Sequence, residues 1–392
     1  SYEGPTYENA SVYSSPIVYN GQPGSYYTNT IANEKLKPFN RTNYEAGLEA
    51  KFLRNRLGVD FTFYQYIDGP LIFQKPISEA SGYTNQLVNA VKTKNQGYEV
   101  SLTGTPLRTQ GGWSWDVLVN WSTYRITYAE LPEGSDRLYD FYKKGDRVDG
   151  YYDQALVHDP QGNVVHDASG RAIQNPVYQF LGYSNPDWVW SVYNKVSWKD
   201  LSLGFQFDGR VGGVITNYIQ RQTFRGGRHI ETTEGAMGEA RYQDWLKQQA
   251  GLDNNPQADG NYTGTGVKLV SGVIEYDQFG KITNYDELKF APNDIKTYLQ
   301  DYISRYYATA EANLMSKTFS KLREVTLTYR LPQRMFEGGK FLRSASFSLV
   351  GRNLLYFAEK KDIDLDNYIG TNYSGLQSPT AKRYGININL TF

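Results

Sequence analysis

Hydrophobic and polar residues alternate with a period of two in nine stretches of this chain. In 44–53, Tyr44, Ala46, Leu48, Ala50 and Phe52 oppose Glu45, Gly47, Glu49 and Lys51, and in 56–67, Leu57, Val59, Phe61 and Phe63 oppose Gly58, Asp60, Thr62 and Tyr64. The pattern returns in 94–105, 112–127, 188–198, 201–211, 318–330 and 343–353. It closes in 382–392, where Tyr384, Ile386, Ile388, Leu390 and Phe392 face away from Gly385, Asn387, Asn389 and Thr391. Successive side chains of a strand point to opposite faces, so each stretch predicts a strand with one apolar and one polar face.

The connections sharpen this. They run 54–55, 68–93, 106–111, 128–187, 199–200, 212–317, 331–342 and 354–381, short and long in strict alternation. Short turns on one side and large loops on the other are the asymmetry of an outer-membrane β-barrel, whose lipid-facing side chains alternate with lumen-facing ones. With the carboxy-terminus in the periplasm, every short link falls on the periplasmic side. The stretches are ten to sixteen residues long, and about 9 to 11 tilted residues cross a bilayer. Nine strands leave two raw edges, which lipid does not tolerate, so further strands are expected to complete the wall. Ser1 to Gly24 has neither the basic start nor the apolar core of a signal peptide, and the expectation is that the amino-terminal part of the natural protein precedes this chain. Segment 1–43 reads as a loop or strand remnant leading into the barrel at 44–392.

Composition narrows the chemistry. The 41 basic and 41 acidic residues cancel, which removes the global field that nucleic-acid binding would use. No cysteine is present, excluding disulfides and thiolate metal sites. Mean hydropathy is −0.59 and no 18-residue apolar run occurs, so no transmembrane helix is expected, a result that is silent about barrels. Tyr and Trp, 34 and 7 residues, exceed what a core needs and suit interfacial girdles and gripping loops. Trp113, Trp115 and Trp198 flank short turns and read as the periplasmic girdle, Trp188 as part of the outer one. Gly-x-Ser-x-Gly, His-Glu-x-x-His and a phosphate-cradling Gly-Lys-Ser/Thr loop are all missing, so no enzyme is expected.

Four segments then resemble a known family. LGYSNPDWVWSVYNKVSWKDLSLGFQFDGRVGG, around Gly182 to Gly213, looks like a Gly-x-x-Asn-Pro turn feeding two strands that end in glycines. Lys317 to Tyr329, KTFSKLREVTLTY, leads into Leu331-Pro332; Ser348 to Leu354, SLVGRNL, and the terminal aromatic strand follow. In that order they are similar to the carboxy-terminal half of SusC-like TonB-dependent outer-membrane transporters. Where the family often has an Asp-Pro-Glu turn, this chain reads Asp362-Ile363-Asp364-Leu365-Asp366-Asn367. The resemblance implies an all-β transmembrane antiparallel barrel of about 22 strands, of which nine are present here. It also implies a plug, a TonB box coupling to the TonB complex, a SusD-like surface lipoprotein acting as a lid, and oligosaccharide or oligopeptide cargo.

Candidate sites follow from position. Tyr139, Phe141, Tyr142, Tyr151 and Tyr152 bunch in loop 128–187, where flat faces can hold sugar rings or peptide side chains; a small loop core, or a contact with the lid lipoprotein, is the plainer reading. Asp208 and Arg210 lie on a lumen face and are candidate substrate contacts, against the plain alternative of a wetted barrel interior. Tyr298, Tyr302 and Tyr306 recur at helical spacing behind Asn293, a candidate N-cap of a helix about four turns long, and are candidate docking residues for the lid, or a packing stripe. A second short helix is expected through Arg241, Trp245 and Leu246, and turns over Asp253 to Gly266. No cofactor is expected; His158, Asp159, His166 and Asp167, and the alternating Asp362, Asp364 and Asp366, give only weak support to a loop calcium or transition-metal site. Two rival readings share the strands: a passive porin or adhesin barrel, and a secreted all-β carbohydrate-binding protein.

Overall fold

The computed structural model describes residue 10 and residues 13–251, 260–337, 341–367 and 380–392. Part of the expected turn region, 253–259, lies outside the described residues. The chain packs as two compact units, Ser1–Pro106 with Val117–Val148, and Leu107–Asp116 with Asp149–Phe392. All nine expected strands form: β1 (Asn40–Phe52), β2 (Leu57–Pro76), β3 (Asn85–Arg108), β4 (Trp113–Glu130), β5 (Trp188–Trp198), β6 (Leu201–Val211), β7 (Phe319–Arg330), β8 (Ser344–Ala358) and β9 (Arg383–Thr391).

In the first unit the ladder runs β1–β2–β3–β4 in sequence order. Register keeps like with like: Leu48 pairs with Phe61, Ala50 with Val59 and Phe52 with Leu57, while Glu49 faces Asp60 on the other side. Phe61 and Phe63 then meet Val100 and Tyr98 of β3. The β1–β2 turn is made by Leu53, Arg54 and Asn55, all at positive φ. The long loop expected over 68–93 is largely strand. β2 and β3 stay paired as far as Pro76 and Asn85, and two register shifts between Asp68 and Ile72 interrupt the alternation there, which hides the extension from a period-two reading. Segment 1–43 contributes a hairpin, Tyr13–Tyr19 with Gln22–Tyr27, and a short parallel pairing of Thr30–Ile31 with Asn85–Gln86.

In the second unit the order is β5–β6–β7–β8–β9, again consecutive and antiparallel. One face carries rows of apolar partners: Val196, Leu203, Leu327, Leu349 and Ile386 lie strand to strand, as do Tyr329, Phe347 and Ile388. Most of these large side chains are exposed, among them Leu203, Leu327, Phe347, Leu349, Ile386 and Ile388. A patch of that extent belongs against lipid or protein, not water. The opposite face pairs Thr328 with Ser348 through their hydroxyls at 2.8 Å and Glu324 with Arg352 at 2.8 Å. Trp113 and Trp198, at the short-turn end, stack with ring centroids 5.6 Å apart, and the Trp115 indole donates to Asn194, an amide on the apolar face.

The long connections fold into bodies of their own, including helices α1 (Tyr218–Arg225), α2 (Gly235–Gln249) and α3 (Leu299–Tyr306). Helix α2 covers the expected Arg241, Trp245 and Leu246. Helix α3 is half the expected length. Thr297 exchanges backbone hydrogen bonds with Tyr262, holding the chain extended up to Tyr298, and Asn293 caps no helix but accepts the Ile295 N–H in a local turn.

The two faces make opposite predictions at neighbouring positions of β8. Leu349→Arg places a charge on the apolar face and is expected to cost up to about 2–4 kcal/mol in a bilayer, whereas Ser348→Arg on the polar face is tolerated. Comparing the yield of heat-modifiable folded barrel in outer membranes for the two variants checks this.

Candidate functional site

Three of the sequence segments singled out above converge on one joint at the long-loop end of β5–β7. The turn Ser184-Asn185-Pro186-Asp187 hangs on Asp149, whose backbone carbonyl accepts the Ser184 N–H and whose carboxylate accepts the Asn185 N–H. It lies against Gly212 and Gly213, both at φ +81, and a Cβ on Gly212 would come within 2.3 Å of the Asp187 carboxylate. Lys317 locks the joint: its N–H donates to the Gly213 carbonyl and its Nζ to the Ser184 carbonyl at 2.9 Å. Burial pushes its ammonium down to about 8.

Below the joint, the polar face of β6 and β7 holds a charge network. Asp208 sits opposite Lys321 in register, and a bulge between Leu322 and Glu324 turns Arg323 to the same side. The Arg323 guanidinium donates to both Asp208 oxygens, at 2.7 and 2.9 Å, and to both Asp366 oxygens, at 2.6 and 3.2 Å. Lys321 Nζ donates to Asp364 at 2.7 Å and to Asp366 at 3.3 Å, and Arg210 to the Asp366 carbonyl at 3.0 Å. Three cations thus face three carboxylates. Burial works to raise the Asp364 and Asp366 carboxyls, but hydrogen bonds and charge from Lys321 and Arg323 outweigh it and hold both below the usual range.

Asp364 and Asp366 come from the last long loop, whose Asp-Ile-Asp-Leu-Asp run lies along this wall as a strap. Its alternate residues Ile363 and Leu365 fill an apolar cluster with Ile215, Met315 and Phe319. The Tyr356 hydroxyl donates to the Ile363 carbonyl and accepts the Leu365 N–H. Asp362 accepts from the Asn217 amide.

The loops before β5 and before β7 together build a body around Val157, Val165, Ile282 and Leu288. Three hairpins of one design close it: Asp159-Pro-Gln-Gly-Asn163, Asp167-Ala-Ser-Gly-Arg171 and Asp277-Gln-Phe-Gly-Lys281. In each, the aspartate Oδ1 accepts the N–H groups two and four residues on. Each glycine takes a positive φ, from +73 to +86, which a side chain would resist. Within this body an open cavity of about 480 Å³ is lined by Leu156, His158, Phe180, Lys281, Tyr285 and Glu311 among others. His158 Nε2 and Glu311 Oε1 are 3.1 Å apart, and the bond to Glu311 raises the imidazole above its ordinary value despite burial.

No family model matches the chain. It is similar to "TonB-dependent receptor P3" of Formosa agariphila, 24% identical over 245 residues, which span 54% of this chain and 24% of that protein. "TonB-dependent receptor P26" of the same organism is 23% identical over 224 residues, 49% of this chain and 22% of its own length. Among solved structures, the RagAB peptide transporter superposes with a TM-score of 0.62 at 21% identity, over 98% of this chain and 39% of that one. Its 'open-open' state superposes with a TM-score of 0.63. The fold of the chain is that of part of this transporter's β-sheet. This chain spans about a quarter of the curated relatives' length and two fifths of the transporter's barrel-bearing chain.

The expected site residues have diverse surroundings. Asp208 and Arg210 are occupied by Arg323 and Asp366, so they anchor the strap. Tyr151 is 4% exposed, its hydroxyl shared between Thr216 and Asp153. Tyr152 belongs to an aromatic row, 5.5 Å from Phe180, which lies 5.1 Å from Tyr183. In the first unit Tyr139 is exposed and edge-on to Phe73, Tyr142 packs on Tyr128, and the Phe141 N–H donates to the Leu138 carbonyl. Tyr302 is 4% exposed, wedged between His166, Tyr262 and Tyr306, and Tyr298 precedes α3 half-buried, so this stripe packs the loop body inward and leaves Tyr302 no docking surface. Asp159 and Asp167 cap hairpins, and His166, whose imidazole is pushed below its ordinary value by burial, bonds Val267 and Tyr302. Among the described residues no His/Asp/Glu group has metal-holding geometry.

Sequence reasoning passed over Arg323, Lys321 and Phe180. The signals were present: Leu322-Arg323-Glu324 breaks the period of two, and Asp-Ile-Asp-Leu-Asp keeps that period inside a loop.

Two predictions follow from this geometry. Arg323→Met leaves Asp208 and Asp366 facing each other without their shared cation, at a cost of about 1–3 kcal/mol; hydrogen exchange at Leu365 and Asp366 is expected to rise, while exchange in β8 stays constant. The raised folded value of His158 means that its pair with Glu311 contributes fully below about pH 6.5, its unfolded value, and is lost as pH rises through the higher folded value. Asp159, also close by, acts in the same direction on His158. Thermal melting of the loop body is expected to fall as pH rises from about 6 toward 8, below the range in which the depressed Lys317 ammonium acts in the opposite direction, and His158→Gln to flatten that slope.

Proposed function

We propose that this chain is the carboxy-terminal wall of a TonB-dependent importer in a bacterial outer membrane, with its carboxy-terminus in the periplasm and its large loops outside. The observation that carries the reading is the pairing of β5–β9, an exposed apolar face interrupted by Asn194 on one side with a charged, loop-bound face on the other. A spanning barrel uses both faces in this way. The cargo in this reading is an oligopeptide or oligosaccharide, captured with a SusD-like lipoprotein lid. Energy comes from the TonB complex through a plug joined to this wall. The relatives named as TonB-dependent receptors and the likeness to a peptide importer support it. Transport of this kind asks for no covalent chemistry, cofactor or metal from the wall.

The test is uptake by the intact protein in its own outer membrane. Labelled oligopeptides and oligosaccharides are supplied to cells with and without a protonophore, and with and without the TonB gene. One cargo class is expected to accumulate, and accumulation to stop in both treated cells. Uptake that survives loss of the proton gradient would identify a passive pore instead, and release of a stable soluble monomer without detergent would exclude the membrane altogether.

A further inference from the structure

We propose that the cavity in the loop body is a subsite for the carboxy-terminal end of an oligopeptide, with the terminal carboxylate at Lys281 and an apolar side chain against Leu156, Leu181 and Ile282. The proposal rests on the importer reading and narrows its cargo. A volume of about 480 Å³ is within the range of small-ligand pockets and holds two or three residues.

Charge points to the carboxylate. Glu311 is balanced within the wall, one oxygen accepting the Leu156 N–H at 2.7 Å and the other pairing with His158. Lys281 is exposed and has no ion-pair partner among the described residues, leaving one positive charge at the rim. A carboxylate answers it, and an uncharged sugar does not.

The remaining polar groups disfavour a saccharide. Sugar hydroxyls need free amide or hydroxyl partners, but the Asn175 amide donates to the Gly280 carbonyl and the Gln179 amide to the carbonyls of Val177, Tyr178 and Phe279. The rings of Tyr152 and Phe180 are inclined at 57°, those of Phe180 and Tyr183 at 67°, so they form clefts that suit side chains better than a pyranose face. The aliphatic wall completes a surface for a Leu- or Val-like residue.

Calorimetric titration of the intact protein in detergent tests this with four probes: Ala-Leu-Leu as free acid, its carboxamide, the carboxamide of Ala-Leu-Glu, and an uncharged trisaccharide. The free acid is expected to bind, amidation to weaken it about tenfold or more, Lys281→Glu to do the same, and Lys281→Arg to keep binding within about threefold. Heat-modifiability of both variants monitors folding. Equal binding of acid and amide, unchanged binding by Lys281→Glu, preference for the trisaccharide, or binding regained with the Glu-ending amide each overturns the proposal. Failure here with TonB-dependent uptake intact removes the subsite alone; loss of that dependence removes the importer reading.

Discussion

Hydrocarbon supplies no hydrogen-bond partners, so every N–H and C=O crossing it must be paired with a neighbouring strand. The rest of the structure depends on that constraint. It forces the strands into register, and register forces side chains of one character into common rows, so that Leu203, Leu327, Leu349 and Ile386 lie in line across four strands. Where the ladder does slip, at Leu322–Glu324, the released residue is Arg323, which organises the polar face. A defect in pairing is thereby turned into a binding post.

The strap shows the same periodicity used without a ladder. Asp362, Asp364 and Asp366 reach Asn217, Lys321 and Arg323, while Ile363 and Leu365 enter the apolar cluster between them. Neither set alone would hold the loop against this polar face. Burying those charges costs desolvation free energy, and two aliphatic side chains bury too little area to offset the ordering of the chain. Together they tie the last long connection to the wall that precedes it in sequence.

The strands were readable because environment acts on single residues: a position either faces lipid or does not, and nine stretches record it. The links at Leu53–Asn55 and Lys199 were equally plain. Loop interiors were not, because their form depends on distant partners. Nothing near Thr297 announces that Tyr262 will hold it extended and shorten α3, and nothing near Asp208 or Arg210 announces Asp366. The Tyr302 stripe has the spacing of a surface and the environment of a core, since His166 and Tyr262 arrive from other segments to cover it. The Asp-x-x-Gly hairpins are the exception, a local code repeated three times that periodicity searches tuned to strands pass over.

Those hairpins carry a consequence for how the surface of the loop body can change. In each, the fold is held by the aspartate, the glycine and main-chain hydrogen bonds, and Pro160, Gln161, Ala168, Ser169 and Gln278, which lie between, contribute no side-chain hydrogen bond to the closure. Substitution at these five positions leaves in place the aspartate, the glycine and the main-chain bonds that close each hairpin, so the face they present can vary without a redesign of the body that carries it.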